Sequence, residues 1–498
     1  YAGVITGSED WMGHYENVHV KNATITASKY AGAIAAYGTS NMINVSAENI
    51  TFNITEIGDE KPHVGGLIGL NNAGTLDNAT VTNVTINIFA DDGNLETNQV
   101  GALIGTAQKD VVINPNSTAT DVTYNGEPFT ALVGLDNRED TSWYDPDGDN
   151  YVITNIPELK GLDNLLNAGT SFLGKTVLLG ADIDLTGQGF LPLGSSSNSF
   201  KGTFDGQNHT LSNLNLTHTS NYAGFFAKVD AAVVKNLNVT NFNIKAPEFA
   251  GAVAGVANGT FDNVHVNNSK IYSDHFGGGV TGYLYGNMRN SSATNVEVLA
   301  HNELPGELGN KLGGLAGYVG ENIYVLENNT GTNVTVTGVR DVGGLFGTTQ
   351  YGTKVYNNTI TDSAVTASNV HGSETDPWAG GIVGRLVGEY TTFGGNVNNN
   401  TSVTSYGAGH AGPIYGGPVA NAIDLRVHNE TQNTWYTTIK EAVIAAVAGD
   451  EILAGAGTYT ETSSILVDKA ITIEGLPGAK IEVSGAGPIF DMAAGATL

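Results

Sequence analysis

Apolar residues recur along this chain in short alternating runs framed by glycine. Gly-Gly-Leu-Ala-Gly, starting at Gly313, shows the frame in full, and variants begin at Gly3, Gly32, Gly65, Gly101, Gly251, Gly278, Gly343, Gly380 and Gly412. Within each run, neighbouring copies lie 27 to 37 residues apart. A second pattern, Asn-[Val/Leu]-x-[Val/Ile], opens at Asn17, Asn83, Asn236, Asn263, Asn295 and Asn333. Alternating β-branched residues bounded by turn formers predict strands rather than helices. A period this short holds at least two strands and leaves no room for crossover helices. It predicts an all-β solenoid, a parallel β-helix in which each coil buries its apolar face on the next. Whether a coil has two strands or three stays open at this point. The small residues of the glycine frame let the coil turn and its neighbours approach closely.

Two stretches depart from alternation. Over residues 151–167, Ile156, Leu159, Leu162, Leu165 and Leu166 fall near helical spacing, with Asn155 placed to cap and Pro157 in the first turn. An amphipathic helix at that place predicts a cap over the open end of a solenoid. Ile439, Ala442, Val443 and Ala446 predict a second cap helix. After a partial copy at Thr130 to Gly134, the frames stop at an acidic, turn-forming stretch. The expected organisation is a β-helix segment over 1–135, an acidic connection over 136–150, a capped β-helix over 151–433 and the start of a third segment over 434–498. The chain opens inside a repeat at Tyr1 and stops at Leu498 soon after a fresh cap. That predicts a native polypeptide that continues, or ends that stack on other copies.

Composition changes the picture in two ways. The chain has 49 acidic against 21 basic residues, a formal charge of −28, which argues against nucleic acid and anionic membranes as partners. The absence of cysteine rules out disulfides and thiolate metal sites. The 66 glycines, with abundant Asn and Thr, suit a turn-rich repeat.

The succession TVLLGADIDL from Thr176, FLPLG from Phe190, FKGTFDGQNHTLSNLNL from Phe200 and GFFAKVDAAVVKNLNV from Gly224 resembles bacterial and archaeal surface proteins with GLUG-type repeats. The resemblance covers roughly residues 151–417 and reaches 1–134 through the glycine and asparagine motifs only. It implies a right-handed parallel β-helix serving as scaffold in large secreted or adhesin-like proteins, and no catalytic residues belong to the motif. TIKEAVIAAVAGDEILAGAGTYTE from Thr438 resembles the opening of pectate-lyase-like β-helix domains, ahead of any active-site coils.

Several residues could carry chemistry. Asp182 and Asp184, two apart on a predicted strand, project to one face about 7 Å apart. With Asp205 and His209 one coil later they form the best carboxylate constellation for glycoside chemistry, beside their plain reading as scaffold turns. Asp145, Asp147 and Asp149, near Asp136, Glu139 and Asp140, alternate as calcium-loop ligands do, so calcium is the one candidate cofactor. The five arginines (Arg138, Arg289, Arg340, Arg385, Arg426) are scattered, and His19 and His265 hold equivalent places in two NVHV strands, suggesting stacking rather than zinc. Nineteen Asn-x-Ser/Thr sequons include Asn22, Asn44, Asn49, Asn53, Asn78, Asn83, Asn215, Asn238, Asn258, Asn333, Asn357 and Asn429. They read either as glycosylation sites or as a by-product of a coil that wants Asn at its turns and Thr along its strands. Trp11, Trp143, Trp378 and Trp435 read as loop anchors or as sugar-stacking platforms.

The expectation is a non-enzymatic extracellular surface scaffold or stalk. Its partners would be other copies of itself, end to end or laterally, and cell-surface glycans, with no nucleic acid and no membrane insertion. The alternative is a carbohydrate-active enzyme or polysaccharide-binding module using the groove of the β-helix.

Overall fold

A computed structural model of the chain describes all residues except 56–60, 90–98, 219, 301–309, 369–376, 388–391, 406–409, 417–422, 425–426, 433, 455–456, 476–478, 485–487, 493–495 and 498. Arg426 and the side chains of Trp11 and Trp435 therefore lie outside the described residues. The fold is all-β and built from long parallel sheets: a parallel β-helix. By packing, the chain forms two compact units. The first comprises residues 1–171, 175–194 and 209–215, the second 172–174, 195–208 and 216–498.

In the first unit each coil has three sides. A short strand (Tyr30–Gly32, His63–Gly65, Gln99–Gly101) leads through a tight corner into a long one (Ala35–Ile43, Ile68–Asp77, Ile104–Ile113), and a third follows (Ser46–Ile54, Thr80–Ile88, Thr118–Tyr124). The partial frame at Thr130 makes one more long-side strand, Val133–Asp136. Register is strict: Gly3 pairs with Gly32, Gly32 with Gly65 and Gly65 with Gly101. In the second unit Gly251, Gly278, Gly313, Gly343, Gly380 and Gly412 form one further unbroken ladder. The ten glycines of the sequence frame thus form one column in each unit.

The corner explains the glycine. A Cβ added at Gly313 would sit 2.2 Å from the Ala316 carbonyl oxygen and 2.6 Å from that of Leu345. Short and long strands meet backbone to backbone there, with the side chains between them turned inward. Leu315, Leu345 and Ile382 stack in the core beneath.

The other corners belong to asparagine. All six residues that open the Asn-Val motif adopt left-handed backbone, with φ between 50° and 58°, a conformation asparagine tolerates better than other non-glycine residues. Their amides then bond from coil to coil: Asn263 donates to Asn236 (3.0 Å) and Asn333 to Asn295 (2.8 Å). A buried ladder runs just inside, where Asn358 accepts from the backbone N–H (3.0 Å) and amide (2.9 Å) of Asn329.

Both predicted cap helices form. The helix α1, Ile156–Asn167, is capped by Asn155, whose side chain accepts from the Glu158 N–H, and it buries Leu159, Leu162 and Leu166. The helix α2, Ile439–Ala445, starts with a capping box of Thr438 and Glu441 and buries Ile439, Ala442 and Val443. Parallel pairs follow it, Glu451–Ala454 with Thr472–Gly475 and Ile465–Val467 with Phe490–Met492. Among the described residues no helix is long and apolar enough to cross a membrane.

Candidate functional site

Of the carboxylates singled out by the sequence, Asp184 and Asp205 end short strands and Asp182 lies just before one. In the first unit, Asp182 accepts from the Thr210 N–H (2.8 Å) and from His209 Nδ1 (3.2 Å), bonds that hold its carboxyl below the usual range. Asp184 accepts from the Thr186 N–H and hydroxyl and from the Asn213 amide at 2.9, 2.6 and 2.9 Å. It also borders a cleft of about 540 Å³ lined by Leu132, Arg138, Ile156 and Gln188. In the second unit, burial pushes Asp205 up, but bonds from Asn236, Gln207 and Lys235 outweigh it and leave the carboxyl low. A general acid needs the opposite shift; these bonds favour the ionised form of Asp182 and Asp205.

The acidic connection is tied down at its start, where Asp136 is its one buried residue. Asp136 is buried in a two-point ion pair with Arg138 (2.8 and 2.6 Å) and accepts from Lys160 through its carbonyl. Asp145 Oδ1 caps the Asp147 N–H (3.0 Å), while the Lys175 ammonium bonds the carbonyls of Pro146 and Gly148. A protein cation therefore occupies two of the loop's carbonyl oxygens. Among the described residues, no three of His, Cys, Asp and Glu are placed to hold a metal ion. His19 and His265 play one part twice, each bonding through Nδ1 a serine of the next coil, Ser46 and Ser292, at 2.8 Å.

Most sequon asparagines serve the corners. Asn22, Asn44, Asn49, Asn78, Asn83, Asn333 and Asn357 have left-handed backbone. The amides of Asn44, Asn49, Asn78 and Asn83 donate to the asparagine one coil earlier, at 3.3, 2.9, 2.8 and 2.7 Å. Asn53 accepts from Asn87, Asn238 donates to the Asn208 carbonyl, and Asn258 donates to Asp230. Asn429 is fully buried and donates to Asp450 (2.8 Å), whereas Asn215 opens the strand Asn215–Thr217 on the surface.

The richest cluster brings Trp378 and Arg385, noted only singly in the sequence, together with residues of other coils. Residues two places before each frame glycine stack outside the corner and face the residues five places after it. In the first unit the column holds Tyr30 and His63, ring on ring at 4.6 Å. His63 Nδ1 lies 2.7 Å from the Thr106 hydroxyl, which donates to Gln99. Burial, and then Lys29, lowers the His63 pKa to about 4.

In the second unit, Tyr222, Phe249 and Phe276 stack at 5.2 and 5.1 Å. The column continues with Lys311, Asp341, Trp378 and His410. Across the corner stand Tyr283, Tyr318, Thr348 and Arg385. The Lys311 ammonium lies over the rings of Phe276 (5.0 Å) and Tyr318 (5.8 Å), and the Arg385 guanidinium over Trp378 (5.2 Å). Asp341 is 1% exposed; Oδ2 accepts from the Thr348 hydroxyl (2.9 Å) and Oδ1 has no hydrogen bond. Burial pushes this carboxyl up against the pull of Arg385, Thr348, Lys311 and Arg340. Burial also lowers the Lys311 ammonium and raises the phenols of Tyr283 and Tyr318.

Hydrolysis of glycosides uses two carboxyl groups, whereas the charged groups acting on Asp341 among the described residues are all cations. The corner offers cations, phenols and rings in fixed register, which suits recognition. The signal that finds it in sequence is the fixed offset from the glycine, where Tyr, His, Phe, Lys, Asp and Trp replace the Thr and Asn common elsewhere.

No family model matches the chain. Over 228 residues, 40% of this chain, it is 28% identical to halomucin from Haloquadratum walsbyi, and the match spans 2% of that protein's length. Among solved structures it is similar to a candidate immunoglobulin A1 protease from Bacteroides ovatus. That likeness has a TM-score of 0.37 at 20% identity, covering 54% of this chain and 85% of the other, an overlap too slight to carry activity from one to the other.

Proposed function

We propose that the chain is part of a secreted or cell-surface protein and serves there as a rigid β-helical scaffold of the adhesin or stalk type. The observation that carries this reading is the repetition itself: glycine, asparagine and apolar columns continue coil after coil in strict register. Coils that contact only their neighbours make a stiff, extendable body whose outer positions are free to vary. The strongly acidic composition suits a soluble exterior, and the mucin-type name of the matching relative is in keeping with an extracellular setting. On this reading the GLUG-type and pectate-lyase-like resemblances describe building units, and Asp182, Asp184 and Asp205 are turn formers.

Antibodies against the chain are expected to label intact source cells or their medium; labelling only after permeabilisation overturns the surface assignment. Polysaccharide turnover that vanishes in Asp184→Asn, with the fold intact, overturns the scaffold reading in favour of an enzyme.

A further inference from the structure

Several basic side chains pair with carboxylates on the coil surface, as Lys270 does with Glu297 (3.1 Å) and Arg289 with Glu327 (3.3 Å). Neither Lys311 nor Arg385 has such a pair among the described residues; each lies over an aromatic ring instead. Asp341 sits in the coil between them, and its one buried carboxylate cannot neutralise both. The result is a cationic spot on a chain of net charge −28.

Its geometry is that of a track. Lys311 pairs with Asp341 and Asp341 with Trp378, the residue beneath Arg385, so the two cations lie two coils apart. At the spacing of neighbouring strands this is about 9.5 Å along the helix axis. The rings of the column cover one another's faces, which leaves their edges, the positive part of the aromatic quadrupole, toward solvent. Beside Lys311, whose ammonium lies over Tyr318, the ring of Tyr283 packs on those of Tyr285 and Tyr318, each at 4.5 Å, and Tyr285 is 40% exposed. Two positive charges set two coils apart, beside a cluster of neutral phenols, fit a linear chain that carries both carboxylates and hydroxyls. Nucleic acid needs a longer row of cations than two.

We propose that this stretch of the corner binds an acidic polysaccharide, with Lys311 and Arg385 each holding a carboxylate and the Tyr283–Tyr285–Tyr318 cluster holding sugar hydroxyls. The site is independent of whether the body is a surface scaffold.

The test is calorimetric titration of the full chain, in EDTA, with an oligogalacturonate, its methyl ester and polyglutamate as probes. The free acid is expected to bind, and the ester to bind about tenfold more weakly or worse, since each charge-assisted hydrogen bond contributes about a factor of ten. Arg385→Gln and Lys311→Gln should each weaken the acid about tenfold, and Tyr285→Phe should weaken it less. Lys311 packs on two rings, so half-buried Arg385, which lies over one, serves as the second variant should Lys311→Gln fold poorly. Equal binding of acid and ester, wild-type affinity in Arg385→Gln, or no binding at all overturns the proposal. Polyglutamate binding as tightly as the sugar acid overturns the saccharide assignment.

Discussion

Replacing Gly313 by alanine tests the corner on which the fold depends. The new Cβ would lie 2.2 Å from the Ala316 oxygen, 2.6 Å from the Leu345 oxygen and 2.7 Å from the Gly347 nitrogen, all backbone atoms, where ordinary contact begins near 3.4 Å. No side chain can move aside, so the strands must part by about 1 Å. Parting them strains the bonds from Leu315 and Ala316 N–H to the Leu345 oxygen, now 2.8 and 3.0 Å. Overpacking of this kind costs about 3 kcal/mol, or about 6 to 12 °C in the melting of the second unit. The chain supplies its own control. The fifth place of the frame is alanine at Ala36, whereas the first is glycine in every copy. Gly317→Ala should therefore cost less than Gly313→Ala, and Gly126→Ala, with open space around it but φ of 90°, only about 1 kcal/mol. Calorimetry with hydrogen exchange across residues 311–347 reads the effect. A Gly313→Ala protein melting within about 1 °C of wild type, with unchanged exchange, refutes the close-packed corner.

Burial holds His63 neutral in the fold, with its pKa lowered from 6.5 to about 4. The unfolded chain takes up that proton first, so stability is lost as pH falls from about 6.5 to about 4; after allowance for solvent screening the loss is about 2 kcal/mol, and His63→Phe should flatten the slope seen in urea melts. Asn358→Ala removes the acceptor of two Asn329 donors and the donor to the Leu326 carbonyl, all buried, and should cost about 3 kcal/mol in the same assay; a loss under about 1 kcal/mol would mean that water replaces the ladder. Peptide mapping of native protein should find Asn429 unmodified, since its amide is buried against Asp450; a glycan there would contradict the packing of that segment. Because Lys175 already bonds the carbonyls of Pro146 and Gly148, millimolar calcium should leave the wild-type melting temperature unchanged; a clear rise would restore Asp145, Asp147 and Asp149 as ligands.

Much of the fold was legible because a solenoid writes its geometry as a period. The frame glycines, the Asn-Val strands and both cap helices correspond to single features of the structure: a corner ladder, a left-handed corner and two capped helices. The site was far less legible. Asp182, Asp184 and Asp205 look like chemistry because acidic residues at short spacing do, yet their oxygens are used in turns. Lys311, Asp341 and the pair Trp378 and Arg385 look unrelated because 30 to 74 positions separate them.

The sequence by itself determined that the chain coils, since glycine and β-branched alternation at this period can bury apolar surface only against a copy of itself. Local chemistry also determined where asparagine turns the backbone, because few other side chains accept left-handed geometry. Only the tertiary structure decided that each coil of the first unit has three sides, since that depends on which apolar runs share a core. It alone decided register as well. Stacking in register sets Lys311 and Arg385 around one buried carboxylate, and so turns residues chosen singly along the chain into a charged corner.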